Sequence, residues 1–175
     1  MNMNDLIQSM IARRSCKCFL PDMVPDECIE QIIQAGLYAP NAMAMQSPII
    51  IAVKDKAQRD RLSRLNAKYD LRHRADPFYG APVVLAVVVP KEMPTGIYDG
   101  SLVLGNMLLA AHALGLGACW IHRAKESFED EDGKALLAEL GLKGEYEGVG
   151  NCVIGYPERM NTALVPRKEG RVYRL

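Results

Sequence analysis

Residues 81–90 read APVVLAVVVP, and six of the seven positions after Pro82 are valine or leucine. Such a run bounded by prolines is a β-strand by length and by β-branched content. Both of its faces are apolar, so the sheet that holds it is covered on both sides. The chain around it supplies the covering elements. Leu6, Ile7, Met10 and Ile11 recur at helical spacing and give a first amphipathic helix ending near Arg13. VPDECIEQIIQAGLYAP (24–40) gives a second: Pro25 suits the first turn, Asp26 and Glu27 complement the helix dipole, and Pro40 closes the helix. SPIIIAVKD (47–55) reads as a short buried strand, and Lys56 to about Lys68 as an exposed helix. A long uncharged helix follows from about Asp99 to Leu114, then GACWI (117–121) as a strand, EDGKALLAELG as a helix, and GVGNCVIGYP as another buried strand. GRVYRL (170–175) is expected as a final edge strand. With 175 residues and no shift of composition along the chain, one domain over 1–175 is expected, of α/β or α+β layered type.

Composition narrows the function. Acidic and basic residues balance at 21 each, which disfavours a general nucleic-acid binder. The balance hides two basic clusters, at 12–17 and in PRKEGRVYRL at the end. Residues 100–121 carry no charge and approach the ~20 residues that span a bilayer. Asn106 and His112 interrupt them, however, and Gly115 and Gly117 break their end, so a buried helix is the better reading. The N-terminal MNMNDLIQSM lacks a charged-then-apolar leader pattern. Five cysteines, mostly in apolar segments, suit a reducing cytoplasm.

ARRSCKCF (12–19) poses the chemical question. Cys16 and Cys18 form a C-x-C pair, but no further ligands stand at zinc-site spacing and no metal is expected. Arg14 and Lys17 flank Cys16, as around an activated thiol, yet no C-x-x-C pair or resolving partner accompanies it. No G-x-S-x-G elbow is present. GLGAC (115–119) lacks the third glycine of a dinucleotide fingerprint and closes a helix rather than opening one. What remains is Arg13, Ser15 and Lys17. They alternate, so an extended chain projects them to one side, where a guanidinium fork, a hydroxyl and an ammonium suit a phosphate. A solvated basic helix end is the alternative.

Read in order, ARRSCKCF, AGLYAPNAMAMQSP, GAPVVLAVVV, GNMLLAAHALGLGACWI, VIGYP and PRK resemble the FMN-dependent nitroreductase family across essentially the whole chain. The resemblance implies an α+β, three-layer sandwich with a mixed central sheet flanked by helices. It also implies a homodimer with FMN at the subunit interface and a C-terminal strand exchanged with the partner. Arg13 and Ser15, with Arg14 beside them, match positions that hold the FMN phosphate and ribityl chain. Lys17 matches a cation at the flavin N1/O2 edge, where it would favour negative charge. Arg167, with Lys168, matches a basic position closing on the phosphate. Pro40, Asn41, Ala42 and Gln46 match the loop reaching the flavin from the other subunit. Trp120 and Ile121, through His122, match the backbone passing flavin N5. The chain departs from the family where Ala44 replaces an asparagine and Ser47-Pro48 replace Pro-Trp. An Asn and a Lys used by many members have no clear match, Asn66 and Lys68 being candidates at the wrong spacing.

The activity implied is oxidation of NADH or NADPH, with electrons passed through FMN to a nitroaromatic or quinone by a ping-pong mechanism. His122 is the one candidate catalytic side chain, as a proton or hydrogen-bond donor to the acceptor; a plain structural position is its alternative. The departures at Ala44 and Ser47 keep a second reading open, a flavin-binding storage or regulatory protein with little turnover.

Overall fold

The computed structural model describes residues 3–160 and 163–175. Its centre is the valine-rich strand at 83–90. β2 (Val83–Pro90) lies inside a four-stranded sheet of order β1-β2-β4-β3, with β1 (Ile49–Val53), β3 (Gly117–Ile121) and β4 (Tyr146–Gly155). Residues 83–89 are buried on both faces, as a doubly apolar strand requires. On one face Val83, Leu85 and Val87 pack with Ile154 and Cys152 of β4 under α2 (Asp26–Leu37) and α4 (Gly96–Ala113). On the other, Val84, Ala86 and Val88 pack with Leu62, Leu65, Phe78, Phe128 and Leu137. That second cover comes from α3 (Lys56–Ala67), α5 (Ala124–Glu129), α6 (Glu131–Glu139) and the loop before β2. Three layers result.

Every strand pair is antiparallel. The parallel element of the expected mixed sheet is a single bridge, Ser15 to Ala118 on the outer edge of β3. It is backed by the Cys16 amide donating to the Ala118 carbonyl at 2.9 Å. This edge closes tightly because residue 117 is glycine: a Cβ there would lie 2.8 Å from both Cβ and Sγ of Cys16. Gly100 likewise lets α4 ride on β4, since a Cβ would sit 2.6 Å from Val149.

Two expectations change in three dimensions, and two features were not anticipated. Helix α3 is not an exposed helix; beside Leu62 and Leu65 it buries Arg59, Ser63 and Asn66, each through side-chain hydrogen bonds. Helix α5 has only six residues and no apolar stripe, so periodicity could not reveal it. The tail forms no strand: the described residues 163–175 are all exposed and pair with no strand among the described residues. Finally, α1 (Asp5–Ala12) is amphipathic as expected, but none of its residues is buried. Its apolar face, Leu6, Ile7, Met10 and Ile11, stands in the open, with Leu6 69% exposed.

Candidate functional site

The chain leaves α1 in extended form, and the alternation read from the sequence holds. Cys16 is buried (1% exposed), whereas Ser15 and Lys17 are exposed and Arg13 is half-buried. Arg13, Ser15 and Lys17 converge on the edge of β3 around Cys119. Burial pushes the Cys119 thiol up, against the pull of the Ser15 hydroxyl and of the Lys17 and Arg13 charges. Neither Arg13 nor Lys17 forms an ion pair among the described residues. Two unneutralised cations beside an exposed hydroxyl form a receptive surface for an anion.

The two N-terminal thiols are bystanders. The Cys16 sulfur donates to the Cys18 carbonyl at 3.2 Å and faces the interior. Cys18 donates to the Glu158 carboxylate at 2.7 Å, and that contact raises its pKa. A protonated thiol is a poor nucleophile and a poor metal ligand.

Arg14 is not available to a ligand in the way its neighbours are. Its guanidinium donates to the Ile11 and Arg13 carbonyls, both at 2.7 Å, and to the Ala163 carbonyl at 3.0 Å. It ties the start of the tail to the end of α1. Arg167 and Lys168 are exposed and make no hydrogen bond or ion pair among the described residues, so within one chain they do not join Arg13, Ser15 and Lys17.

Pro40–Gln46 form a separate group. Asn41 and Gln46 line a cleft of about 490 Å³ with Gln34, Tyr38 and Val103. The loop is shaped by left-handed backbone at Met43, Ala44 and Gln46, by the Ala42 amide donating to Asp99 (3.1 Å), and by the Gln46 amide donating to the Asn41 side chain (2.8 Å). Pro40 is exposed and Ala42 half-buried, and no hydrogen bond among the described residues links this loop to Arg13–Lys17. Trp120 is half-buried over Gly150, Ile121 is in the core, and His122 is exposed.

Asn66 and Lys68 are structural rather than ligand-facing. Lys68 pairs with Asp130 and Asp132, and Asn66 is buried with its amide on the His122 carbonyl. Sequence reading missed Arg74 and Tyr79. Tyr79 lies beneath two cations: Arg74 stacks 5.0 Å from its ring centroid and Lys17 Nζ lies 5.9 Å away. Asp70 holds Arg74 with a 2.5 Å ion pair, and the Arg74 charge also bears on Cys119. The i,i+4 spacing of Asp70 and Arg74 was the available signal.

Residues 10–156 match the family model described as the nitroreductase family. The chain belongs to that family. Its fold superposes on a nitroreductase with bound FMN from Bacteroides fragilis with a TM-score of 0.87, at 25% identity, over 99% of this chain and 100% of that one. A second FMN-bound nitroreductase, from Desulfitobacterium hafniense, gives the same TM-score at 22% identity over 99% of this chain and 100% of that one, a likeness of fold. The NADPH-flavin oxidoreductase of Vibrio harveyi is 27% identical over 97% of this chain and 72% of its own length. No described helix is long and apolar enough to cross a membrane.

Proposed function

We propose that the chain is an oxidoreductase that binds FMN on the Arg13–Lys17 segment at the edge of β3 and carries electrons from NADH or NADPH to a small organic acceptor, a nitroaromatic or quinone. The observation that carries this reading is the placement of Arg13, Ser15 and Lys17 along the edge of β3, where Ser15 bridges Ala118 and neither cation has an ion pair among the described residues, in a chain of this family. Arg13 and Ser15 hold the phosphate and ribityl end, and Lys17 faces the ring edge, kept in place against Tyr79. Bound FMN supplies hydride acceptance and donation at one ring face, which donor and acceptor occupy in turn, hence the ping-pong order. The protein's part is to bind, orient and bias charge; no side-chain nucleophile is required, and His122 serves as hydrogen-bond donor to the acceptor.

The same reading calls for a homodimer. The cofactor-reaching loop at Pro40–Gln46 and the basic pair Arg167 and Lys168 make no hydrogen bond or ion pair to Arg13 among the described residues, and in this reading they complete the site from a partner. The exposed apolar face of α1 supports this, as do Leu164, Val165, Val172 and Tyr173 of the tail, with Tyr173 87% exposed. Burial of such a surface drives association. The tail is then the strand exchanged between subunits.

The test begins with colour: purified protein should carry an absorbance band near ~450 nm that leaves as FMN on denaturation. Steady-state oxidation of NADH or NADPH with a nitroaromatic or quinone follows. A yellow protein inert with all of these pairs would favour the storage or regulatory alternative. A colourless protein with no FMN affinity would remove the site.

A further inference from the structure

The apolar layer beneath β3 contains three fully buried polar side chains that the proposed chemistry leaves unused: Asn66 of α3, Ser127 of α5 and Asn151 of β4. Asn66 Nδ2 donates to the His122 carbonyl at 3.0 Å and lies 3.5 Å from Ser127 Oγ. Ser127 Oγ in turn donates to the Arg123 carbonyl at 2.7 Å, and the Ser127 amide to the same oxygen at 3.0 Å. Two consecutive carbonyls, of His122 and Arg123, are thus drawn inward by buried donors. Arg123 between them has left-handed backbone, φ +74°, which an arginine adopts only under constraint.

These groups are poorly arranged for stability alone. Asn66 Oδ1 and both polar atoms of Asn151 are buried without a hydrogen-bond partner among the described residues. Asn151 stands cross-strand from Ile121 and Ala86, on an otherwise apolar face. The Asn66 amide leaves its own Oδ1 unpartnered while satisfying the His122 carbonyl, a costly arrangement unless holding that carbonyl has a use. The use follows from peptide geometry. In a trans peptide the C=O and the following N–H point in opposite directions. With the His122 carbonyl held inward, the Arg123 N–H is aimed out of the core, and it donates no hydrogen bond among the described residues.

We propose that Asn66, assisted by Ser127, is a positioning residue that fixes the His122–Arg123 peptide so that the Arg123 N–H is presented to the flavin side of β3. The role rests on the FMN reading above. It acts through backbone orientation, so it should alter the electronic environment of the bound flavin and not merely the amount of folded protein.

The test uses the FMN-loaded full chain with Asn66→Leu and Ser127→Ala. In Asn66→Leu the visible circular dichroism of bound FMN and its midpoint potential shift, and kcat falls about tenfold while KM for the nicotinamide donor stays within about twofold. Ser127→Ala, which leaves the His122 bond intact, shifts both signals in the same direction by less. If Asn66→Leu does not fold, Ser127→Ala carries the test alone. A wild-type flavin spectrum and potential in every variant that folds would overturn the positioning role while leaving FMN binding intact. A wild-type protein that takes up no FMN would overturn both readings, and the two failures are told apart by that first measurement.

Discussion

Gly117→Ala probes the cofactor segment without touching any residue assigned to the ligand. The added Cβ would lie 2.8 Å from Cβ and Sγ of Cys16 and 3.2 Å from the Phe19 ring. Ordinary carbon contacts are ~3.5–4.0 Å, so the Cys16 backbone must retreat by roughly 1 Å. It cannot do so freely, because its amide is bound to Ala118 and Ser15 bridges the same strand. Overpacking of this kind costs about 1–3 kcal/mol of stability, read as a lower urea midpoint in the apoprotein. The same retreat would carry Ser15 and Arg13 away from the proposed FMN position. Losing one charge-assisted contact, ~1.5–3 kcal/mol, weakens FMN affinity by roughly ten- to hundredfold, read by quenching of FMN fluorescence on titration. Cys16→Gly removes both clashing atoms, so Cys16→Gly/Gly117→Ala should recover affinity relative to Gly117→Ala, a positive coupling in the double-mutant cycle. Wild-type stability and wild-type FMN affinity in Gly117→Ala would refute the account of this edge.

Three further outcomes are expected. Arg13→Ala should weaken FMN binding by ~1.5–3 kcal/mol in the same titration, with little change in the thermal midpoint of the apoprotein, because Arg13 makes no hydrogen bond through its own side chain among the described residues. Arg74 beside Asp70 holds that carboxyl well below the ordinary carboxylate range; a depressed folded pKa means the contribution is full above the unfolded value of ~3.9 and drains as pH falls beneath it. Asp70→Asn should therefore destabilise the fold near neutrality and flatten the acid limb of a stability–pH curve, measured by urea denaturation between pH 7 and 3. Ile7→Glu, on the open face of α1, should shift sedimentation from dimer to monomer and release FMN, whereas an unchanged dimer would remove that face from the interface.

The layers were legible because their signals are local and strong. A run of valines buried on both faces can only be central, and Arg13, Ser15 and Lys17 owe their shared direction to the two-residue period of extended chain. What stayed hidden depends on neighbours that are distant in sequence. Helix α3 reads as exposed because Arg59, Ser63 and Asn66 are polar, and only Asp76, Ala81 and His122 make them interior groups. Tyr79, with Arg74 stacked on it, reaches Lys17 across some sixty residues, and nothing in its own segment announces it. The tail reads as a strand by composition, but its described residues pair with neither edge of the sheet and lie exposed.

The Arg14 contact to the Ala163 carbonyl bears on how two copies would find each other in the proposed dimer. It pins the root of the arm beside the chain's own cofactor segment, leaving twelve residues beyond it. At ~3.3 Å per residue, that arm sweeps a radius of about 40 Å. Once the α1 faces of two copies touch, each arm searches only its neighbour's surface, at a local concentration on the millimolar scale. In the proposed dimer, assembly would proceed as a bimolecular encounter followed by a rapid intramolecular latch. Cutting the pin with Arg14→Ala should slow the latch more than the encounter.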